Sequence, residues 1–159
     1  RYFRLYDIWS SYQAESRGVA IAYTSVYGHT REAAEELAAA LRARGCTVAL
    51  SDLARCDMAE AVEDAFRYEK LVLATTTYNG DIFPFMRDFL LHLTERGFRN
   101  RTVALVENGS WAPMAARIMK RMLEGCRDLR FAENQVTIRS ALAEESRDRL
   151  LALAAELAE

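Results

Sequence analysis

The feature that most restricts this chain is a fivefold alternation between two hydrophobic periods. Short apolar runs at 19–24, 47–50, 71–76, 102–106 and within 131–138 alternate with segments of helical spacing. Helices are expected over 31–44, 58–66, 84–96, 113–123 and 144–157. The first of them puts Ala34, Leu37, Ala38 and Leu41 on one face, and the last does the same with Leu150, Leu153, Ala154 and Leu157. Pro84 and Pro113 suit a first turn, where no N–H is needed. The expected strands are apolar throughout rather than at every second residue. Such strands are covered on both faces, so the pattern predicts a parallel sheet between two helical layers. Right-handed crossovers leave few topologies for it. Sheets of this kind bind ligands beyond the carboxyl ends of their strands, at the point where the strand order reverses. The loops after the first, third and fourth strands are therefore the ones to inspect.

Composition removes several other classes. The 159 residues are 51% hydrophobic and 28% charged, which excludes a collagen, a disordered tail and a disulfide scaffold. A chain of roughly this length buries about two thirds of its unfolded surface, enough for a sizeable core. With 21 Lys+Arg against 23 Asp+Glu, the net charge is -2, a poor electrostatic match for nucleic acid or an anionic membrane. No apolar run approaches the roughly 20 residues that span a bilayer. No apolar segment of the signal-peptide kind opens the chain, and a cytoplasmic location is expected. The first residue is not Met, so a fragment or a processed product is expected. Cys46, Cys56 and Cys126 form no C-x-x-C pair and are expected as small buried thiols. His29 and His92 are the only histidines, too few for a His-rich metal centre, and no metal site is expected.

Residues 1–17 stand apart. They hold Tyr2, Phe3, Tyr6, Trp9 and Tyr12, and Tyr2, Leu5, Tyr6, Trp9 and Tyr12 recur at helical spacing. An aromatic amphipathic helix at a chain start must dock on something: its own domain, or a neighbouring domain for which it serves as connector.

The three loops narrow the chemistry. The glycines are Gly18, Gly28, Gly45, Gly80, Gly97, Gly109 and Gly125, with spacings that exclude both G-x-G-x-x-G and a P-loop. A phospho-acceptor domain of this architecture needs carboxylates at the ends of strands one and three. Here those ends read Tyr23-Thr24-Ser25 and Thr75-Thr76-Thr77. The loop Ser25-Val26-Tyr27-Gly28-His29-Thr30 opens directly into a helix, whose first N–H groups lack intrahelical partners and favour an anion. Ser25 and Thr30 add hydroxyl donors, and Gly28 permits close backbone approach. The absence of Lys favours a phosphate monoester held by neutral donors; an ordinary helix cap is the other reading.

The run Ser25-Val26-Tyr27-Gly28-His29-Thr30 resembles the phosphate loop of flavodoxin-like proteins, usually T/S-x-T-G-N-T. With Tyr before Gly it is most similar to the flavodoxin domain of flavodiiron proteins (A-type flavoproteins). Thr77-Tyr78-Asn79 with Phe83-Pro84 resembles that family's second loop, and Glu107-Asn108-Gly109-Ser110-Trp111-Ala112-Pro113 its third. Leu5-Tyr6 with Trp9-Ser10 resembles the connector that follows the diiron domain. His29 departs from the usual Asn, Thr76 from a common Pro, and Glu107-Asn108 from Gly and Ser. Glu107 is expected either beside the flavin, disfavouring its anionic reduced form, or in solvent.

The resemblance implies an α/β flavodoxin-like three-layer sandwich, with a five-stranded parallel sheet of order 2-1-3-4-5 and helices on both faces. Residues 1–17 would be a connector from an upstream domain and 18–159 an FMN-binding domain. The FMN phosphate would lie in the first loop, on Ser25, Val26, Tyr27, Gly28, His29 and Thr30. The isoalloxazine ring would lie between Thr76, Thr77, Tyr78, Asn79 and Gly80 on one side and Asn108, Gly109, Ser110 and Trp111 on the other. Tyr78 and Trp111 would cover its faces, and the Gly80 peptide would reorient on reduction. The implied role is electron relay to a diiron centre in an oxygen or nitric oxide reductase. A head-to-tail homodimer, and rubredoxin or a reductase as donor, go with it. No side chain of this chain is expected to be catalytic. A stand-alone flavodoxin or quinone reductase, and a non-redox interaction module, remain as alternatives.

Overall fold

The computed structural model describes residues 14, 16–25, 28–78 (Tyr78 by its backbone alone), 81–109, 114–139 and 143–159. The aromatic segment expected as a connector lies outside them, apart from residues 14, 16 and 17. The strands are β1 (Ser16–Tyr23), β2 (Val48–Asp52), β3 (Tyr68–Tyr78), β4 (Asp81–Ile82), β5 (Arg101–Asn108), β6 (Leu129–Phe131) and β7 (Val136–Ile138). The helices are α1 (His29–Ala43), α2 (Met58–Arg67), α3 (Pro84–Glu95), α4 (Ala115–Met122) and α5 (Glu144–Leu157). No helix among the described residues is long and apolar enough to cross a membrane.

The sheet runs β2-β1-β3-β5-β6, with every one of these pairs parallel. That is the expected order, with two refinements. β4 is a two-residue antiparallel return on β3, pairing Thr77 with Ile82 and Tyr78 with Asp81. The expected fifth strand is broken into β6 and β7, both parallel to β5, at Arg101–Val103 and Val106–Asn108 respectively.

The break has a physical cause. Ala132 N–H still donates to Val103 O at 2.8 Å. The next amides leave the ladder: those of Glu133 and Asn134 donate to the Glu156 carboxylate at 2.9 and 3.0 Å, and Asn134 Nδ2 joins them at 2.7 Å. An acceptor on α5 thus satisfies amides that a continuous strand would have spent on its neighbour. Burial works against the Glu156 carboxylate, but these donors outweigh it and hold its pKa below the ordinary value.

Alternate residues of each strand feed opposite layers. Leu71, Leu73, Val103 and Leu105 pack under α2, α3 and α4, against Ala61, Met86, Phe89, Leu90 and Met119. Val72, Ala74, Ala104 and Val106 face the other way, onto α1 and α5 through Leu37, Leu41, Leu150 and Leu153. Both faces of the sheet are buried, which is why its strands read as unbroken apolar runs.

Arg101 fastens the amino end of the sheet. It is 3% exposed, and its guanidinium donates to the carbonyls of Phe66 (2.7 Å), Arg99 (3.0 Å), Asn100 (3.0 Å) and Tyr68 (3.1 Å). Burial lowers its pKa. At Gly18 the backbone has φ +157°, and an added Cβ would lie 2.8 Å from Thr47 O and 2.9 Å from the Tyr68 ring. The three cysteines differ from expectation: all are half-buried rather than buried. Burial still raises the Cys56 and Cys126 thiols above their ordinary pKa, so neither is a ready thiolate.

Candidate cofactor site

Parallel register brings the tips of β1, β3 and β5 level. Ala74 lies beside Tyr23 and Thr76 beside Asn108. The first loop, the second and the third therefore leave the sheet side by side. Beneath them lies a layer of hydroxyls. Thr24 Oγ1 and Thr75 Oγ1, both fully buried, form a short hydrogen bond between the tips of β1 and β3. One step further out, Thr30 Oγ1 meets Thr76 Oγ1 at 3.1 Å, and Asn108 Nδ2 donates to Thr30 Oγ1 at 3.5 Å. Thr30 is 1% exposed and Asn108 6%. Thr30 thus ties the first turn of α1 to the tips of β3 and β5, and the Thr24–Thr75 bond joins the tips of β1 and β3.

The start of α1 has no side-chain cap among the described residues. Gly28 is its N-cap, in a left-handed conformation (φ 87°, ψ -9°) that L side chains rarely adopt. Its N–H is taken by Ser25 Oγ at 3.0 Å, and its carbonyl accepts from Glu32 N–H at 2.9 Å. The amides of His29, Thr30 and Arg31 meet no capping side chain among the described residues. Space around Gly28 is open: an added Cβ would meet nothing within 4 Å. By contrast, Asp57 caps α2 through the Ala59 N–H at 3.0 Å.

The start of α4 is closed. Thr77 Oγ1 accepts from the amides of Met114 (3.1 Å) and Ala115 (3.2 Å). Glu107 Oε1 accepts from the Ala116 amide at 3.1 Å, while its Oε2 takes Thr137 Oγ1 at 2.8 Å and Gln135 Nε2 at 3.3 Å. The expectation of a solvent-facing Glu107 is therefore corrected: the residue is 6% exposed and faces protein donors. Its partners explain why. Met114 offers no capping side chain, so the helix borrows acceptors from the tips of β3 and β5. An uncapped helix start seven residues beyond a lone carboxylate is the sequence signal that points to it.

Of the expected first-loop residues, Ser25, Gly28, His29 and Thr30 fall at the tip of β1 and the start of α1, while Val26 and Tyr27 lie outside the described residues. Of the second loop, Thr76 and Thr77 are half-buried at the end of β3 and Tyr78 closes that strand; Asn79 and Gly80 lie outside. Of the third, Asn108 and Gly109 are buried, with Gly109 N–H donating to Ile138 O at 3.0 Å; Ser110 and Trp111 lie outside. Thr30 and Thr77 turn their hydroxyls to protein partners. The second loop is anchored further on, where Asp81 accepts from the Ile82 amide and from Arg87, which together lower its pKa.

A doubly wound parallel sheet, with its strand order reversing between β1 and β3 and a helix start at that reversal that has no side-chain cap among the described residues, defines an α/β class that binds ligands at its carboxyl edge. The chain belongs to the flavodoxin family, whose model matches residues 21–144. Among solved structures, the flavodiiron protein from Giardia intestinalis has a TM-score of 0.88 at 20% identity, covering 98% of this chain and 38% of that one. The rubredoxin oxygen:oxidoreductase of Desulfovibrio gigas gives 0.87 at 19% identity, covering 96% and 38%. Oxidised flavodoxin 1 from Bacillus cereus gives 0.76 at 19% identity, covering 89% and 97%. At these identities the likeness is one of fold. The chain spans 38% of the length of the first two structures. No curated protein matches it in sequence.

Proposed function

We propose that this domain binds one FMN non-covalently and relays electrons through it. The observation that carries the reading is the open start of α1 above the Thr30–Thr76–Asn108 junction. The residues fit a phosphate there: among the described residues, three amides have no side-chain cap, a left-handed glycine has free space beside it, and no carboxylate precedes Glu32 in the first turn. Each oriented hydrogen bond to a charged group contributes about 1.5–3 kcal/mol, against about 0.3–1 kcal/mol from the helix dipole. The bound flavin supplies one- and two-electron redox chemistry; the protein supplies its binding, orientation and field. Ser25 fixes the loop through the Gly28 amide, Gly28 lets α1 begin against the phosphate, and Thr30 is held by the strand tips. The ring-side roles of Thr76, Thr77, Tyr78, Asn79, Gly80, Asn108, Gly109, Ser110 and Trp111 belong to the same proposal.

The finer reading is that the domain works within a flavodiiron-type parent. Residues 1–17 would then join it to an upstream diiron domain, a rubredoxin or reductase would be the donor, and a homodimer would bring flavin and metals together. The fold likeness to the Giardia and Desulfovibrio proteins over nearly the whole of this chain favours this over a stand-alone flavodoxin. Sequencing the full open reading frame decides between them. The cofactor reading is tested by mixing equimolar FMN with the protein and desalting. A yellow protein fraction with quenched flavin fluorescence is expected; FMN eluting wholly as free ligand refutes it.

A further inference from the structure

Glu32 stands directly behind the phosphate seat proposed above, in the first turn of α1. Side chains on a helix lean toward its N-terminus and cover the turn before their own Cα. Left to itself, the Glu32 carboxylate would lie over the amides that begin α1, drawn by the positive end of the helix dipole. Instead, Arg147 of α5 takes hold of it. Arg147 Nη2 donates to Glu32 Oε1 at 3.2 Å, and Nε donates to both oxygens of Glu36 at 3.2 Å. One planar guanidinium thus spans two carboxylates a helical turn apart, a geometry that a fork of donors suits. Arg31 Nε holds Glu35 at 2.9 Å, so each of the three carboxylates in the first two turns of α1 has a guanidinium partner.

The helix that carries Arg147 does not account for it. Arg147 lies in the first turn of α5, its amide donating to Ala143 O at 2.9 Å, and a cation there opposes that helix's own dipole. Nor is it needed to close the seam between α1 and α5, which Leu37, Leu41, Leu150 and Leu153 fill. The side chains of Arg147, Glu32 and Glu36 are 47%, 48% and 38% exposed, so their ion pairs add little to stability. What they do fix is where the Glu32 carboxylate sits. Resting on the FMN reading, we infer that Arg147 is a positioning residue for the phosphate: it restrains Glu32 beside α1, so that the first-turn amides are left to a ligand anion rather than to the helix's own carboxylate. It acts through Glu32, as a brace from the neighbouring helix.

The test is a set of fluorescence titrations of the FMN-free protein with FMN and with riboflavin, which lacks the phosphate, at about 0.05 M salt, where screening is weak. Arg147→Gln is expected to weaken FMN by about threefold and to leave riboflavin within about 1.5-fold of wild type. Adding Glu32→Gln to Arg147→Gln should bring FMN back to within about 1.5-fold of wild type, because a neutral amide is not drawn onto the helix start. Glu32→Gln alone leaves Arg147 on Glu36 and should bind FMN as tightly as wild type or more tightly. It keeps the test open should the Arg147 variants fold poorly: weaker FMN binding in this variant overturns the inference. So do equal losses of FMN and riboflavin in Arg147→Gln, no loss of FMN, or a loss that persists in the double variant, which would make Arg147 a plain attracting cation. Wild-type protein that binds no FMN refutes the cofactor reading itself, whereas tight wild-type binding with any of those outcomes overturns this inference alone.

Discussion

Arg101 offers a quantitative test of how the sheet is fastened at the end away from the candidate site. Replacing it by Met keeps the aliphatic stem and removes the guanidinium. Four carbonyls, those of Phe66, Tyr68, Arg99 and Asn100, then lose their donor. Hydrogen bonds to a charged group contribute about 1.5–3 kcal/mol each, so the gross loss is roughly 6–12 kcal/mol. Against it stands the desolvation of the guanidinium, several kcal/mol for a buried ion, which Met does not incur. The net is a destabilisation of about 3–5 kcal/mol. With a urea slope of about 2 kcal/mol/M, the unfolding midpoint should fall by roughly 1.5–2.5 M. Arg101→Lys should fall between, because one ammonium cannot span the fork of carbonyls. The site lies at the opposite ends of β3 and β5, so FMN affinity in native buffer should stay within about twofold of wild type if stability and binding are independent. A midpoint shift under about 0.3 M would refute the assignment of Arg101 as a structural clasp.

Three other outcomes follow from particular contacts. Glu156→Gln should destabilise the protein at neutral pH. Because the folded carboxylate has a lowered pKa, its contribution is full above 4.5, the ordinary value, and is lost as pH falls through the folded value; urea melts of both proteins should therefore converge on acidification. Gly18→Ala should cost about 1–3 kcal/mol by chemical denaturation, because its Cβ would press on Thr47 O at 2.8 Å, a backbone atom with little freedom to retreat; neutrality would show that β1 and β2 yield easily there. Thr30→Val should weaken FMN more than riboflavin in fluorescence titrations, since it releases the first turn of α1, whose amides would face the phosphate, from Thr76 and Asn108; equal losses for both ligands would place its effect in the fold instead.

The alternation of strands and helices could be read from the chain because both faces of each central strand are buried. Val72 and Leu73 point to different layers, yet both must be apolar. Element ends were less legible. β3 begins at Tyr68 rather than 71, because the polar positions Glu69 and Lys70 sit at the half-buried margin of the sheet. The break between β6 and β7 depends on an acceptor 22 and 23 residues away, which no local pattern announces. Around the site, Gly28 and the runs of hydroxyl residues mark which loops matter. What those hydroxyls touch was not legible, since Thr30 and Thr76 are 46 residues apart and meet only through the crossover. For a similar reason the sequence left Glu107 open between the flavin and solvent: its partners come from α4 and from residues 135 and 137, across the turn of the fold.

The interruption between β6 and β7 also bears on how such a domain keeps company with others. A long, unbroken border strand displays a ladder of free amides and carbonyls that invites another chain to zip alongside. Here the outermost position is filled by two three-residue pieces, with the intervening amides clamped inward by a carboxylate. An incoming strand would find no uninterrupted template on that side. The domain can therefore be crowded against copies of itself, or against neighbours in one polypeptide, with little risk of fusing through that border.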